Sequence, residues 1–358
     1  MKARILIMLF SLFLVSNKVQ SGELQLIGGI GKPINDAIVD EQGNLFLAVG
    51  QKIIKRNRNN CLYEEYAGTG EAGAPLIESV EELNGSDALS VPINPRALSM
   101  GPNNEIYVLN AGDTIYIQKI TPDRKLFYVA GTGASSPSRS TPPPDGTDVS
   151  NSPITGNFED VSLDVTFAID RNSRIYILDS SSNLYAIEPD GTFRQVPLFE
   201  ETIRGAIQRF DSRIHQIRSR EDGSLLLLCD NEIKQVDPVG DGFVRTVVSD
   251  FDTQFGRSEF VNLPPNGFIR YDHFLNTIVF QNHETLIPIP LVENATTYDF
   301  QFVYDGNHDH LYFWSGNKNF GIGNSLFSLG KNEHVLWRMP DLTQVLNAAV
   351  MEWKAHNE

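Results

Sequence analysis

The densest run of metal-capable side chains is His308-Asp309-His310. Two imidazoles one residue apart fall on the same side of a strand, and imidazole with carboxylate is zinc-binding chemistry. A zinc site needs further ligands, so the run reads first as a polar turn. No metal or other cofactor is assigned, and calcium or zinc stays open. Other chemistry-bearing patterns are missing: there is no Gly-x-Ser-x-Gly elbow and no phosphate loop. Two Ala-Gly-Thr-Gly runs, Ala67–Gly70 and Ala130–Gly133, lack the lysine and following helix that phosphate binding requires. A nucleophile–base pair assembled in space would leave no such signature.

The elements that must position any site come from a repeat. Tyr66-Ala67-Gly68-Thr69-Gly70 recurs as Val129-Ala130-Gly131-Thr132-Gly133, with a frayed copy at Leu26 to Gly31. Each copy ends a short apolar run on a glycine turn, and self-similarity of this kind sets the fold before anything else does. Ahead of the first full copy, Ala37–Asp40, Leu45–Val49, Gln51–Lys55 and Cys61–Ala67 read as four strands. Ahead of the second, Ala97–Met100, Ile106–Leu109, Tyr116–Ile120 and Leu126–Ala130 repeat the order. Further hairpin units follow from Thr166, Ile214, Phe268 and Phe302. Four antiparallel strands per unit is one blade of a propeller. The expectation is an all-β, six-bladed β-propeller over residues 22–340, with five or seven blades left open.

These units resemble the NHL repeat: Gly43-Asn44-Leu45-Phe46-Leu47, Glu105-Ile106-Tyr107-Val108 and Ile117-Gln118-Lys119-Ile120 carry the resemblance across residues 37 to 136. The resemblance implies a β-propeller, often six-bladed. It leaves activity open, because the family includes binding scaffolds and receptor sensor domains and resembles certain lyases in fold.

Composition narrows the function. The 358-residue chain carries −16 net charge, against non-specific nucleic-acid binding and adsorption to anionic lipid. Lys2, Arg4, the apolar run Ile5 to Val15 and Val19-Gln20-Ser21 form a secretory signal over residues 1–21, cleaved after Ser21. The run is too short to span a bilayer comfortably, and no later stretch is apolar enough to do so. The expected product is secreted or periplasmic and monomeric, with no membrane insertion. Without Lys2, Arg4 and Lys18 the mature chain has 26 basic against 45 acidic groups, a net −19. The tail, residues 341–358, places Leu342, Val345, Leu346, Ala349, Val350 and Trp353 on one face of an amphipathic helix.

Ring closure requires joined ends, and Leu24 to Ile27 is expected to complete the last blade beside Leu326 to Leu329 or Val335 to Met339. Cys61 and Cys229 fall on opposite blades of a six-bladed ring, too far apart for a disulfide, so two free thiols are expected, with Cys229 buried. Three long connections, Glu71 to Arg96, Ala134 to Val165 and Phe251 to Gly267, share one face of the ring, called the upper face here. Long loops on a rigid scaffold are where binding usually sits.

Second-strand ends reach the same face. In register they are Val49, Asn110, Asp179, Cys229, Gln281 and Ser315. Asn110, Asp179 and Gln281 could converge on a ligand near the channel, joined by His215 and His283. The preferred reading of Asn110 and Asp179 is structural, as Asn and Asp side chains bond nearby backbone amides. The functional expectation is a non-catalytic scaffold binding a protein or small ligand through its long-loop face. The alternative is a lyase or hydrolase at the channel mouth, metal-dependent or not.

Overall fold

The computed structural model describes residues 25–29, 34–71, 83–111, 115–131, 144–149, 154, 166–178, 183–201, 205–210, 212, 214–220, 222–229 and 232–248, and the backbone of seven strands between 260 and 329. The leader at 1–21 and the tail helix expected at 341–358 lie outside the described residues.

After β1 (Gln25–Gly29), the chain forms antiparallel sheets almost entirely from consecutive strands. β2 (Ile34–Val39), β3 (Leu45–Val49), β4 (Lys52–Arg56) and β5 (Tyr63–Ala67) make the first. The short β6 (Ser86–Asp87) precedes β7 (Pro95–Met100), β8 (Ile106–Ala111), β9 (Ile115–Ile120) and β10 (Lys125–Ala130) and pairs outside β10 as a fifth strand. β11 (Thr166–Ile169), β12 (Ile175–Leu178), β13 (Leu184–Ile187) and β14 (Phe193–Gln195) follow. β15 (Phe199–Glu201) and β16 (Ile207–Arg209) form a two-stranded sheet of their own. β17 (Ile214–Ser219), β18 (Leu225–Cys229), β19 (Ile233–Val236) and β20 (Arg245–Val248) form the next four-stranded sheet. β21 (Phe260–Leu263), β22 (Gly267–Asp272), β23 (Thr277–Asn282) and β24 (Thr285–Pro290) form another. β25 (Phe300–Asp305), β26 (His310–Ser315) and β27 (Ser325–Leu329) take β1 as their fourth strand, through Gln25 opposite Ser328 and Leu26 opposite Phe327.

The arrangement is an all-β, propeller-like ring. The first strands of successive sheets stand side by side: β2 packs against β7, β7 against β11, β11 against β17, β21 against β25, and β25 against β2. The sheet inventory departs from six uniform units. A fifth strand is added to the second four-strand unit, and a separate β15–β16 hairpin is interposed.

A recurring hairpin chemistry sets the register. The N–H of Asp40 donates to the carbonyl of Asn44 at 3.0 Å, and Asp170–Arg174 and Arg220–Ser224 repeat the bond at 3.0 and 2.9 Å. The fourth residue of each turn is left-handed: Gly43 at φ 80°, Ser173 at 63° and Gly223 at 85°. A three-residue loop with one left-handed position matches the twist of the flanking strands. Asp40 and Asp170 are buried because their carboxylates serve these turns. Asp40 Oδ1 accepts the Gln42 and Asn44 amides, and Asp170 Oδ1 those of Asn172 and Arg174.

Packing follows from strand alternation. Phe46 and Ala48 join Ile106, Val108 and Leu126 in one core between the first two sheets, while Leu45, Leu47 and Val49 join Tyr312 on the other side. Tyr107, Leu109 and Ile117 meet Phe167, Ile175 and Ile177, and Tyr176 and Leu178 meet Ile217, Leu225 and Leu227. The hydrophobic core is thus divided into slabs between neighbouring sheets.

Three sequence expectations change. The fifth four-strand unit begins at β21, a strand that falls inside the connection expected from sequence over Phe251 to Gly267. Gln281 consequently lies on the third strand of its sheet rather than at the end of the second, opposite Phe268 and Leu286. Cys61 sits in the β4–β5 turn at φ 58°, ahead of the outer strand instead of within it. Both thiols are free, Cys61 exposed and Cys229 buried.

The long connections are the third change, since their described parts dock on the next sheet. The Gly85 amide donates to Leu126 O at 2.8 Å, Asn84 Oδ1 accepts the Tyr128 amide at 2.8 Å, and Ala88, Val91 and Ile93 are buried. Gly146 and Asp145 repeat these roles with Phe193 O at 2.8 Å and the Gln195 amide at 2.6 Å, and Val149 and Ile154 are buried. The underlying pattern, Asn84-Gly85-Ser86-Asp87-Ala88 through Pro92-Ile93, recurs as Asp145-Gly146-Thr147-Asp148-Val149 through Pro153-Ile154.

Candidate functional site

Three inner strands share one irregularity. The register of β2 slips between Ile34 and Asp36, that of β7 between Pro95 and Ala97, and that of β17 between Ile214 and Gln216. Counted back from their hairpin turns, the three slips coincide, and the extra residues are Asn35, Arg96 and His215. A bulge releases one residue from the ladder and re-aims its side chain. The bulges occupy the upper ends of the strands, where Ile34, Pro95 and Ile214 oppose Val49, Asn110 and Cys229. Arg96 is exposed, and Asn35 and His215 are half-buried.

At the bulges and just below them, neighbouring inner strands are tied by side chains reaching backbone. Asn35 Nδ2 donates to Pro95 O at 2.9 Å. One residue further on, Asp36 Oδ2 accepts the Leu98 amide at 2.7 Å while Oδ1 accepts that of Ala37 at 2.8 Å. Thr166, at the same distance from its turn as Asp36, accepts the Ile217 amide on Oγ1 at 3.1 Å. Burial pushes the Asp36 carboxyl above the ordinary aspartate range, and the Arg218 guanidinium of β17 pulls it back in part. Arg218 belongs to β17 and Asp36 to β2, the inner strands of two different sheets.

The residues singled out from sequence fall differently. Asn110 is fully buried; its Oδ1 accepts the Asn94 amide at 2.9 Å and its Nδ2 donates to Gln118 Oε1 at 3.1 Å. His215 stands on the bulge of β17. Gln281 is on β23, away from the position aligned with Asn110. Asp179, His283, His308 and Asp309 lie outside the described residues, and His310 opens β26 opposite Asp305. Sequence reasoning missed Asn35, Asp36, Arg96, Thr166 and Arg218. Their signal is positional: each falls two, four or five residues before the first residue of a hairpin turn.

A second polar cluster joins the turns of the third four-strand unit. Glu188 accepts Arg174 Nε at 2.7 Å and Arg194 Nε at 2.6 Å, and Asp170 Oδ2 takes Arg174 and the Tyr176 hydroxyl. Burial opposes the Glu188 charge, but the hydrogen bonds from Arg194 and Arg174 outweigh it and hold the carboxyl below its usual range. Burial raises the Tyr176 hydroxyl to about 12, so it stays a donor at physiological pH. This cluster is internally matched in charge. Among the described residues no group of three or more His, Cys, Asp or Glu is placed to hold a metal ion.

No protein-family profile matches the sequence, and no curated protein matches it. Solved structures do match in fold. A catalytically inactive virginiamycin B lyase from Staphylococcus aureus with quinupristin is similar at TM-score 0.50 and 12% identity, covering 86% of this chain and 99% of that one. A streptogramin B lyase gives 0.49 and 14% over 86% and 97%. A structural-genomics protein of unknown function from Bacteroides thetaiotaomicron gives 0.49 and 9% over 86% and 75%. At these identities the likeness is one of fold, and the fold is the β-propeller.

Proposed function

We propose that this chain is an exported, NHL-like propeller that binds a small ligand or a protein partner, without chemistry, at the upper mouth of its channel. In this reading the units begun by β2, β7, β11, β17, β21 and β25 are six blades. The supporting observation is the shared bulge of three inner strands, which brings Asn35, Arg96 and His215 to one rim. Ligands favour the mouths of closed β-structures, where a rigid frame holds a few converging polar groups. Export rests on Lys2, Arg4, the Ile5 to Val15 run and Val19-Gln20-Ser21.

A crystallographic fragment screen on the mature protein tests the binding reading. Fragments should collect at the rim and be lost there in an Asn35→Ala/Arg96→Ala/His215→Ala variant; hits confined elsewhere would overturn it. Amino-terminal sequencing of exported protein should begin at Gly22, and retention of Met1 in the exported form would remove the leader from this reading.

A lyase at the same mouth is the competing reading, carried by the position of His215 on the rim. Incubation with quinupristin distinguishes the two. The binding reading expects intact quinupristin, whereas turnover abolished by His215→Ala would replace it with the lyase.

A further inference from the structure

We infer that Asn84 is an acceptor for an N-linked oligosaccharide, carried at the outer edge of the second four-strand unit. The inference goes beyond the binding reading above and rests only on its export step.

Asn84-Gly85-Ser86 has the Asn-x-Ser spelling that secretory glycosylation recognises, with no proline between. In the fold these residues form the turn that enters β6, and Asn84 is exposed. β6 is the terminal strand of its sheet, at the opposite edge from β7, so a group on Asn84 stands away from the inner strands. A second spelling, Asn294-Ala295-Thr296, lies outside the described residues.

The side-chain amide is oriented for the modification. A backbone N–H only donates, so the Asn84 atom that meets the Tyr128 amide at 2.8 Å is Oδ1, and Nδ2 takes no part in that bond. Attachment forms a bond from Nδ2 to the anomeric carbon of an oligosaccharide as the bond from that carbon to a polyprenyl pyrophosphate breaks. Nδ2 gives up one proton, and the pyrophosphate leaves with the electron pair. Oδ1 is untouched, so the modified residue still accepts the Tyr128 amide and the segment stays docked. Space beside the turn is open, since nothing beyond the chain neighbours lies within 4 Å of a Cβ placed on Gly85.

The other copy of this turn separates docking from modification. Asp145 is exposed, accepts the Gln195 amide at 2.6 Å, and is followed by Gly146-Thr147. A carboxylate therefore docks as a carboxamide does, and only the carboxamide has a nitrogen to modify.

Secretion of the full chain behind its own leader from a eukaryotic host, followed by intact mass and glycopeptide mapping, tests the assignment. Asn84 should carry one glycan in most secreted molecules. Asn84→Asp should lose that glycan and still be secreted folded, since it keeps an acceptor for the Tyr128 amide. Asp145→Asn completes an Asn-Gly-Thr spelling in the equivalent turn and should gain a glycan there. Secreted chain that is bare at Asn84, or modified at Asn294 alone, overturns the site. Failure of Asp145→Asn to gain a glycan would overturn the part given to the turn. Chain retained and unmodified behind its own leader, yet modified at Asn84 behind the host's, would remove the export reading and leave the acceptor standing. Chain bare at Asn84 behind both leaders overturns the inference.

Discussion

The Asp36 carboxylate and the Leu98 amide, 62 positions apart in sequence, meet at 2.7 Å and join the inner strands of two neighbouring sheets. A hydrogen bond to a charged acceptor contributes about 1.5–3 kcal/mol, and a buried amide left without one is costly. Asp36→Ala should therefore destabilise the fold by about 2 kcal/mol, with Asp36→Asn milder because its oxygen can still accept one amide. The pH dependence has a definite sign. Burial raises the folded-state carboxyl, so the folded chain holds this proton more tightly than the unfolded one. Its favourable contribution is full below the ordinary value of 3.8 and is lost as pH rises through the raised folded value. Urea unfolding across this range should show the stability of wild type relative to Asp36→Asn declining with rising pH; a flat difference would contradict the assignment.

Glu188 has the opposite sign. Its carboxyl is held low by Arg194 and Arg174, so its contribution is present above the ordinary value of 4.5 and is lost as pH falls through the lowered folded value. Glu188→Gln leaves two guanidiniums facing each other and should cost about 2 kcal/mol at neutral pH. Acid titration followed by tryptophan fluorescence should show that this penalty shrinks as the wild type protonates. A penalty independent of pH would assign Glu188 a packing role instead.

The glycines of the Ala-Gly-Thr-Gly runs differ from those of the docking segments. Gly68 and Gly131 are left-handed at φ 88° and 98°, and neither has space for a side chain. A Cβ on Gly68 would overlap the Gln51 carbonyl oxygen and come within 2.7 Å of Ile93 Cγ1; one on Gly131 would stand 2.5 Å from the Ile115 carbonyl oxygen. Gly146 is also left-handed, at 81°, but open. Alanine at Gly146 should cost about 1 kcal/mol through backbone conformation alone. At Gly68 or Gly131 it should cost about 3 kcal/mol or more, since steric overlap is added. Comparable melting temperatures for Gly68→Ala and Gly146→Ala would refute the close approach.

Removing Glu23 to Gly31 takes β1 away from β27 and leaves the last sheet with an open edge. The shortened protein should lose several degrees of melting temperature and gain a tendency to associate through that edge. An unchanged melt and a monodisperse profile would mean that β1 is dispensable for closure.

The hairpins and the closing strand were legible because they depend on local signals: Asp40 with Gly43, Asp222-Gly223, and a stray apolar run ending in glycine at Gly28. β21 was not, since four residues before a proline pair look like loop without the sheet that receives them. The docking of Asn84 and Asp145 on neighbouring outer strands was equally hidden. Both residues look like surface turn formers, and only the facing amides of Tyr128 and Gln195 give them their function. The rim escaped for a related reason. Arg96 and His215 share no residue type and no flanking motif; a common bulge unites them, and a bulge is a property of pairing between strands. Asn110 drew attention as a conspicuous polar residue at a strand end, and its bonds go to Asn94 and Gln118 instead.

The two cysteines give the molecule a reporter of its own opening. Cys61 sits exposed in a surface turn, whereas Cys229 is sealed at the end of β18. A thiol reagent applied to the native protein should modify the first at once. It should reach the second only when the β17–β18 pair parts, so the slow phase of labelling times the breathing of a single blade in an otherwise intact ring.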